Sequence, residues 1–144
     1  MSIFPQSLNN NKSDHYTIGG IDVCELVQNY QTPLYILDIQ TLQENCRHYT
    51  QTMSKEYPNS FIAYTGKANL NKGVLNILAR ENVGLDVVSG GELYTALQTP
   101  LDRKKILFHG NNKSLSELEL AIKNDILIVL DNFQEISNIG NLAH

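Results

Sequence analysis

The 144-residue sequence contains only two cysteines, no run of basic residues and no long apolar segment. Cys24 and Cys46 match no metal-ligand spacing and no disulfide framework, which predicts two ordinary thiols in a reducing cytoplasm. The 11 basic residues are dispersed, with residues 102–105 as the densest cluster, so there is no nucleic-acid-binding pattern. The longest strongly apolar run, residues 126–130, is far too short to span a bilayer, and the N-terminus has no signal-peptide pattern.

Strands and helices alternate regularly after residue 58. Apolar runs typical of strands begin near Phe61, Leu85, Ile106 and Ile126, which are 20 to 24 residues apart. An amphipathic stretch follows each run. Such alternation predicts parallel strands joined by right-handed helical crossovers.

The predicted helices carry both an apolar face and N-terminal capping signals. One apolar face consists of Val74, Ile77 and Leu78, and another of Leu115, Leu118 and Ile122. The capping signals are Ser89 with Glu92, Ser114 with Glu117, and Asn132 with Glu135. These signals predict that helices begin directly after strands.

The first part of the chain is less regular. We expect a short strand at "YTIGG", a short helix over residues 21–30 and a strand over residues 33–38. Asp38 is expected to cap the helix that follows, because its carboxylate can accept hydrogen bonds from free N–H groups.

Two architectures fit four βα units: an open doubly wound sheet or a (β/α)8 barrel. No G-x-G-x-x-G fingerprint follows the first strand, which counts against a dinucleotide-binding fold. A complete barrel needs about 250 residues. On the barrel interpretation the sequence is therefore half a barrel, with two open sheet edges.

Lys67 lies at the carboxyl end of the strand that begins near Phe61. Active sites of parallel α/β folds form at that end of the strands. A lysine with small residues beneath it can lose hydration and act as the neutral nucleophile that a Schiff base requires. The alternative from strand position alone is a solvent-facing lysine.

Three motifs in sequence order resemble those of a known enzyme family. "YTGKAN" resembles the lysine motif of the fold-type III enzymes that depend on pyridoxal phosphate. "GLDVVSGGELYTAL" and "ILFHGNNKSLSELELAI" are similar to the second- and third-strand motifs of the diaminopimelate decarboxylases, and "TPLYILD" to the segment that leads into their barrel. "ANLNKG" after the lysine argues against the alanine racemases, which have an A-Y-G-type turn there.

The resemblance implies a fold, a reaction and site residues. The fold is a partial (β/α)8 barrel of the alanine-racemase type, containing about its first four βα units. The reaction is decarboxylation of meso-2,6-diaminopimelate to L-lysine by a homodimeric enzyme. Lys67 would bind pyridoxal 5'-phosphate covalently and carry a proton, with Asp86 near the lysine. His109 is expected beside the cofactor because it lies in a strand-to-helix loop, where this architecture keeps its chemistry, and it does not correspond to the family's ring-stacking histidine.

Other polar residues of these motifs have simpler interpretations. Asp86 is equally compatible with a structural acid, and His109 with a packed histidine. Ser89 and Glu92 are better explained as a helix cap than as catalytic groups. Asn111 and Asn112 are expected only to shape their loop. The remaining histidines, His15, His48 and His144, belong to no motif.

The sequence also departs from the family. It contains no "EPGR"-like phosphate loop, no ring-stacking histidine from a later strand and no C-terminal β-domain. We therefore expect a truncated chain, inactive alone, in which residues 1–31 would pack on the missing β-domain and residues 32–144 form the first half of the barrel. Alternatives are a decarboxylase of ornithine, arginine or carboxynorspermidine, or a non-catalytic fragment or assembly module.

Overall fold

The computed structural model of the chain describes residues 4–142 and divides it into two compact units. Unit 1 is Met1–Arg47 and unit 2 is His48–His144, so the division falls inside the long helix over residues 39–56. The sequence-based boundary at residue 31 was drawn from an expected packing partner, and it remains a prediction.

Unit 1 contains a small antiparallel sheet followed by helices. Its strands are β1 (Asn9–Asn10), β2 (Tyr16–Ile18) and β3 (Ile21–Asp22). They are followed by helix α1 (Val23–Tyr30) and by the first part of helix α2 (Ile39–Glu56), which continues into unit 2. Gly19 and Gly20 connect β2 to β3 with φ of 60° and 80°, the conformation that a two-residue hairpin turn requires. The predicted strand at "YTIGG" and the predicted helix are confirmed.

The predicted strand over residues 33–38 is wrong. These residues pair with no neighbouring strand, and the Tyr35 side chain is fully exposed. An apolar, β-prone sequence forms a strand only where another strand satisfies its backbone groups. Asp38 does cap α2 as predicted, because its carboxylate accepts a hydrogen bond from the Gln40 N–H at 3.2 Å.

Unit 2 is a parallel four-stranded sheet in the order β4-β5-β6-β7, with a helix after each strand. The strands are β4 (Ala63–Thr65), β5 (Gly84–Val87), β6 (Ile106–Phe108) and β7 (Leu127–Ile128). The helices are α3 (Lys72–Arg80), α4 (Gly90–Leu97), α5 (Leu115–Lys123) and α6 (Phe133–Leu142). Each strand begins within two residues of its predicted start.

Consecutive helices of unit 2 pack against one another, which decides between the two candidate architectures. A doubly wound sheet reverses its strand order between its two halves and therefore carries helices on both faces. Here the strand order is sequential, and α3 contacts α4, α4 contacts α5 and α5 contacts α6. Unit 2 therefore has the layout of four successive units of a βα barrel.

The core lies between the sheet and these helices. Leu85 and Val87 of β5 and Phe108 of β6 are completely buried and face the helices. Leu78 of α3 and Leu118 of α5 are completely buried as well. The opposite face carries the alternate residues, which are aligned across the strands by the register Thr65–Asp86–Leu107–Leu127. This second face is the inner face of the partial barrel, and Leu127 on it is 52% exposed.

One residue of the predicted apolar faces, Leu115, is not part of the core. Leu115 is 57% exposed, whereas Leu118 of the same helix is completely buried. Leu115 is the first residue of α5, so its side chain lies beyond the part of the helix that covers the sheet.

Gly84 provides a test of the close β5–β6 pairing. A Cβ added at Gly84 would lie 2.3 Å from the Lys105 carbonyl oxygen, a backbone atom that cannot rotate away. We expect Gly84→Ala to lower the free energy of unfolding by about 1–3 kcal/mol through overpacking. Gly91→Ala is the control, because a Cβ there meets nothing within 4 Å. Urea unfolding measures both, and equal effects would contradict the packing argument.

Candidate active site

All three predicted site residues lie at the carboxyl ends of adjacent strands of unit 2. Lys67 follows the end of β4 by two residues and lies in an exposed turn. Asp86 is within β5, paired with Thr65 of β4, and His109 directly follows β6. These three side chains therefore lie at the same edge of the sheet, where the parallel strands end.

Backbone hydrogen bonds extend the strand pairing as far as this edge. The Gly66 N–H donates to the Asp86 carbonyl at 2.8 Å, and the His109 N–H donates to the Val87 carbonyl at 2.8 Å. A Cβ at Gly66 would lie 3.1 Å from the Asp86 carbonyl oxygen, so the chain packs closely against β5 at this position. These bonds hold the chain on either side of β5 in register up to the residues beside Lys67 and His109.

Asp86 and His109 form the closest ionisable pair at this edge. His109 Nδ1 lies 3.8 Å from Asp86 Oδ1, within reach of an ion pair when the imidazole is protonated. The His109 side chain is 54% exposed and the Asp86 side chain is 25% exposed. Among residues 4–142 the Lys67 ammonium forms no ion pair or hydrogen bond, so in this structure Asp86 is paired with His109 and Lys67 faces solvent.

The turn after Lys67 is ordered by asparagines. The Tyr64 hydroxyl donates to the Asn69 carbonyl at 3.3 Å, and the Asn71 side-chain amide donates to Asn69 Oδ1 at 2.8 Å. Asn71 Oδ1 also accepts from the Val74 N–H at 2.9 Å and so caps α3. The asparagines of "ANLNKG" therefore connect the lysine turn to the following helix.

A glutamate in the first turn of each of the next three helices binds backbone N–H groups. Ser89, Ser114 and Asn132 cap α4, α5 and α6 as predicted. Glu92 departs from a standard capping box, because it accepts from the Val88 N–H at 2.7 Å and not from the N-cap residue. Its role here is structural, as the sequence indicated.

Glu117 connects two neighbouring strand–helix loops. One of its carboxylate oxygens accepts from the Ser114 N–H at 2.8 Å, and the other accepts from the Gly90 N–H at 2.6 Å. The hydrogen bond from the Ser114 backbone is the main reason that the pKa of Glu117 lies below its ordinary value, and the bond from Gly90 lowers it further. The ionised carboxylate thus holds the start of α4 beside the start of α5.

A buried ion pair connects the next two loops and was not predicted. Lys113 Nζ lies 2.9 Å from Glu135 Oε2, and the two side chains are only 1% and 3% exposed. The Lys113 ammonium also donates to the Gly110 carbonyl at 2.6 Å and lies 5.8 Å from the centre of the Phe108 ring. Both contacts flank His109, so this pair fixes the loop that carries the histidine.

Backbone hydrogen bonds and the lysine keep Glu135 ionised. Burial acts to raise the pKa of Glu135, but the Asp131 N–H at 3.0 Å and the Lys113 ammonium outweigh it. The pKa therefore lies below its ordinary value. In the sequence Glu135 is part of a loose capping signal, and Lys113 lies within the third-strand motif without an assigned role. No sequence feature therefore indicates that the two side chains are in contact.

Two further placements concern residues outside this site. Asn111 and Asn112 are exposed in the loop before α5, and Asn112 has a φ of 56°, which agrees with a loop-shaping role. His144 lies outside the described residues. Within residues 4–142 no helix combines the length and apolar character needed to cross a membrane.

Comparison with known proteins gives a consistent family match. The family model described as "Pyridoxal-dependent decarboxylase, pyridoxal binding domain" matches residues 42–144. The diaminopimelate decarboxylase of Bacillus methanolicus is 43% identical over 134 residues, covering 92% of this chain and 31% of the relative. That of Methanothermobacter thermautotrophicus is 38% identical over 141 residues, covering 98% and 33%.

Solved structures show the same relationship. The chain superimposes on the diaminopimelate decarboxylase of M. jannaschii in complex with L-lysine with a TM-score of 0.85 and 33% identity, covering 96% of this chain and 33% of that one. The corresponding enzyme of Helicobacter pylori gives a TM-score of 0.75 and 34% identity, covering 83% and 30%. The chain thus spans about a third of its relatives' length, and unit 2 is a partial (β/α)8 barrel.

Replacing Lys113 tests the buried ion pair. Lys113→Met leaves the Glu135 carboxylate buried without its counter-charge, so we expect the free energy of unfolding to fall by about 3–5 kcal/mol. Lys123→Met is the matched control, because Lys123 pairs with Glu119 on the surface and is 68% exposed. Adding Glu135→Leu to Lys113→Met should restore much of the loss. Equal effects of the two single variants in urea unfolding would contradict the assignment.

The lowered pKa of Glu117 predicts an acid dependence of stability. In the unfolded chain the carboxyl takes up its proton near its ordinary pKa of 4.5, and in the folded chain only at lower pH. Its contribution is therefore complete above about pH 4.5 and is lost as the pH falls through the folded-state pKa. Glu117→Gln should flatten this loss in urea unfolding at stepped pH, and the exposed Glu119→Gln should not.

Proposed function

The chain belongs to the pyridoxal-dependent decarboxylases, whose pyridoxal-binding domain matches residues 42–144, and on this premise we propose that it is the lysine-bearing part of a diaminopimelate decarboxylase. The reaction proposed for the whole enzyme converts meso-2,6-diaminopimelate to L-lysine and carbon dioxide. The observation that carries the proposal is Lys67 at the carboxyl end of β4, beside the strand that holds Asp86.

The residues at this edge fit the reactive end of pyridoxal phosphate. An exposed primary amine can condense with an aldehyde, and a carboxylate at the same edge of the sheet can stabilise positive charge on nitrogen. When bound, the cofactor supplies the electron sink that makes loss of carbon dioxide possible. The phosphate end has no matching loop, since no glycine-rich segment follows β7 within the described residues.

Each residue has a proposed role that follows from its chemistry. The Lys67 amine would anchor the cofactor covalently and carry a proton to and from the substrate carbon. The Asp86 carboxylate would stabilise positive charge on nitrogen near the lysine. His109 would lie beside the cofactor, with its orientation fixed by the Gly110 and Phe108 contacts of Lys113.

The wider organisation is also proposed from the partial coverage. Residues 32–144 would form the first half of the barrel, and residues 1–31 would pack on the C-terminal β-domain of the whole enzyme. The whole enzyme would be a homodimer acting on a small amino acid. We also propose a cytoplasmic location, the reducing compartment in which thiols such as those of Cys24 and Cys46 are ordinarily found.

Other substrates are less well supported. Decarboxylases of ornithine, arginine or carboxynorspermidine share the barrel, but the relatives of 38–43% identity named above are diaminopimelate decarboxylases. A non-catalytic fragment or assembly module remains the alternative for the chain on its own.

Cofactor labelling tests the role of Lys67. The purified chain is incubated with pyridoxal phosphate, reduced with borohydride and digested, and the modified lysines are quantified by mass spectrometry. We expect Lys67 to be labelled several-fold more than Lys72, an exposed lysine five residues along the chain. Lys67→Ala should remove the preferred label and Lys72→Ala should leave it. Equal labelling of the two lysines would contradict the proposal.

A further inference from the structure

Three side chains with different ligand atoms converge in unit 1, far along the sequence from the proposed active site. The Nδ1 or Nε2 of His15, a carboxylate oxygen of Asp22 and the Sγ of Cys24 all lie within 4.8 Å of one another. None of the three belongs to a sequence motif, and their spacing of seven and then two residues matches no common metal-binding pattern. The fold, and not the spacing, brings them together.

The hairpin and the start of α1 position the three groups. Pairing of Thr17 with Asp22 brings the residues just before β2 beside the end of β3. Asp22 is the N-cap of α1 and accepts from the Cys24 N–H at 2.7 Å, which places the Cys24 side chain in the first turn. His15 Nδ1 lies 3.0 Å from Asp22 Oδ2.

Asn11 holds this arrangement in place from the other side. Its side-chain amide donates to Asp22 Oδ2 at 2.6 Å, and its side-chain oxygen accepts from the His15 N–H at 3.0 Å. One asparagine therefore fixes both the carboxylate and the backbone of the histidine. The carboxylate and the imidazole are held together, whereas Cys24 is exposed and free to rotate.

We propose that His15, Asp22 and Cys24 bind a zinc ion. Imidazole nitrogen, carboxylate oxygen and thiolate sulfur are the donors that zinc prefers, and three protein ligands with a water at the fourth position is a common zinc geometry. Bonds of about 2.0–2.3 Å in a tetrahedron put ligand atoms about 3.3–3.8 Å apart. Since the ligand atoms lie within 4.8 Å of one another, forming this tetrahedron needs shifts of at most about 1.5 Å, which an exposed cysteine side chain can make.

Binding would exchange protons for the metal. The ion replaces the proton shared by His15 Nδ1 and Asp22 Oδ2, so the ring proton is carried by Nε2 and any further ring proton passes to solvent. The Cys24 thiol likewise releases its proton to solvent as the thiolate coordinates. The bound ion would link the loop before β2 to the first turn of α1. The chemistry is independent of pyridoxal phosphate, so the site stands or falls separately from the proposed decarboxylase function.

Cobalt substitution tests the site directly. Co²⁺ is titrated into the purified full chain in the absence of phosphate and chelators, and the thiolate-to-cobalt charge-transfer band is followed in the near-ultraviolet. We expect one equivalent to bind, and Zn²⁺ to displace it and bleach the band. Cys24→Ser should abolish the band, and His15→Gln should weaken binding at least about tenfold, since even residues that only support ligands affect affinity by 10–100-fold.

Matched controls come from the same chain. Cys46→Ala leaves Cys24 as the single cysteine, and His48→Gln removes a histidine of α2; both should keep the band and the affinity. Circular dichroism establishes that each variant keeps its helix content. A band that persists in Cys24→Ser, equal loss in the control variants, or no one-to-one binding to the folded wild-type chain would each overturn the proposal.

Discussion

The backbone of β5 is the constraint on which unit 2 depends. It is paired on one side with β4 and on the other with β6, and these pairings continue through the bonds of Gly66 to Asp86 and of His109 to Val87. Because both neighbours run parallel to β5, each is connected to it through a crossover that contains a helix. The sequential strand order and right-handed crossovers place the helices of unit 2 on one face of the sheet. The same constraint brings the amine, the carboxylate and the imidazole of the proposed site to one edge.

Carboxylates stabilise that edge in a repeated manner. In α4, α5 and α6 the third residue is a glutamate that accepts hydrogen bonds from backbone N–H groups near the N-terminus of its helix. Glu117 and Glu135 also bind a group from the preceding strand–helix loop. A negative charge at a helix N-terminus is favourable because the free N–H groups carry partial positive charge. The loops around the proposed site are therefore held by charge-assisted bonds, while the side chains of Lys67 and His109 remain exposed.

Local signals predicted the parts of the fold that depend on local chemistry. The strand starts and the capping residues Ser114 and Asn132 could be inferred from residue type and spacing. The strand over residues 33–38 could not be assessed correctly, since it depends on a distant pairing partner. Likewise Lys113 pairs with Glu135, and His15 with Asp22, although no shared sequence motif connects the residues of either pair. The positions of Lys67, Asp86 and His109 followed from family resemblance and parallel topology together, and their roles rest on the proposed chemistry.

The burial of Lys113 and Glu135 constrains how these two positions can change over evolution. A neutral substitution at either position leaves the other charge buried without a partner. The resulting loss is a sizeable part of a domain's free energy of unfolding, which is about 5–15 kcal/mol. A lineage can therefore cross to an apolar pair only by changing both sites nearly together or by first acquiring compensating stability elsewhere. The two columns should consequently covary among homologues, although 22 positions separate them in the chain.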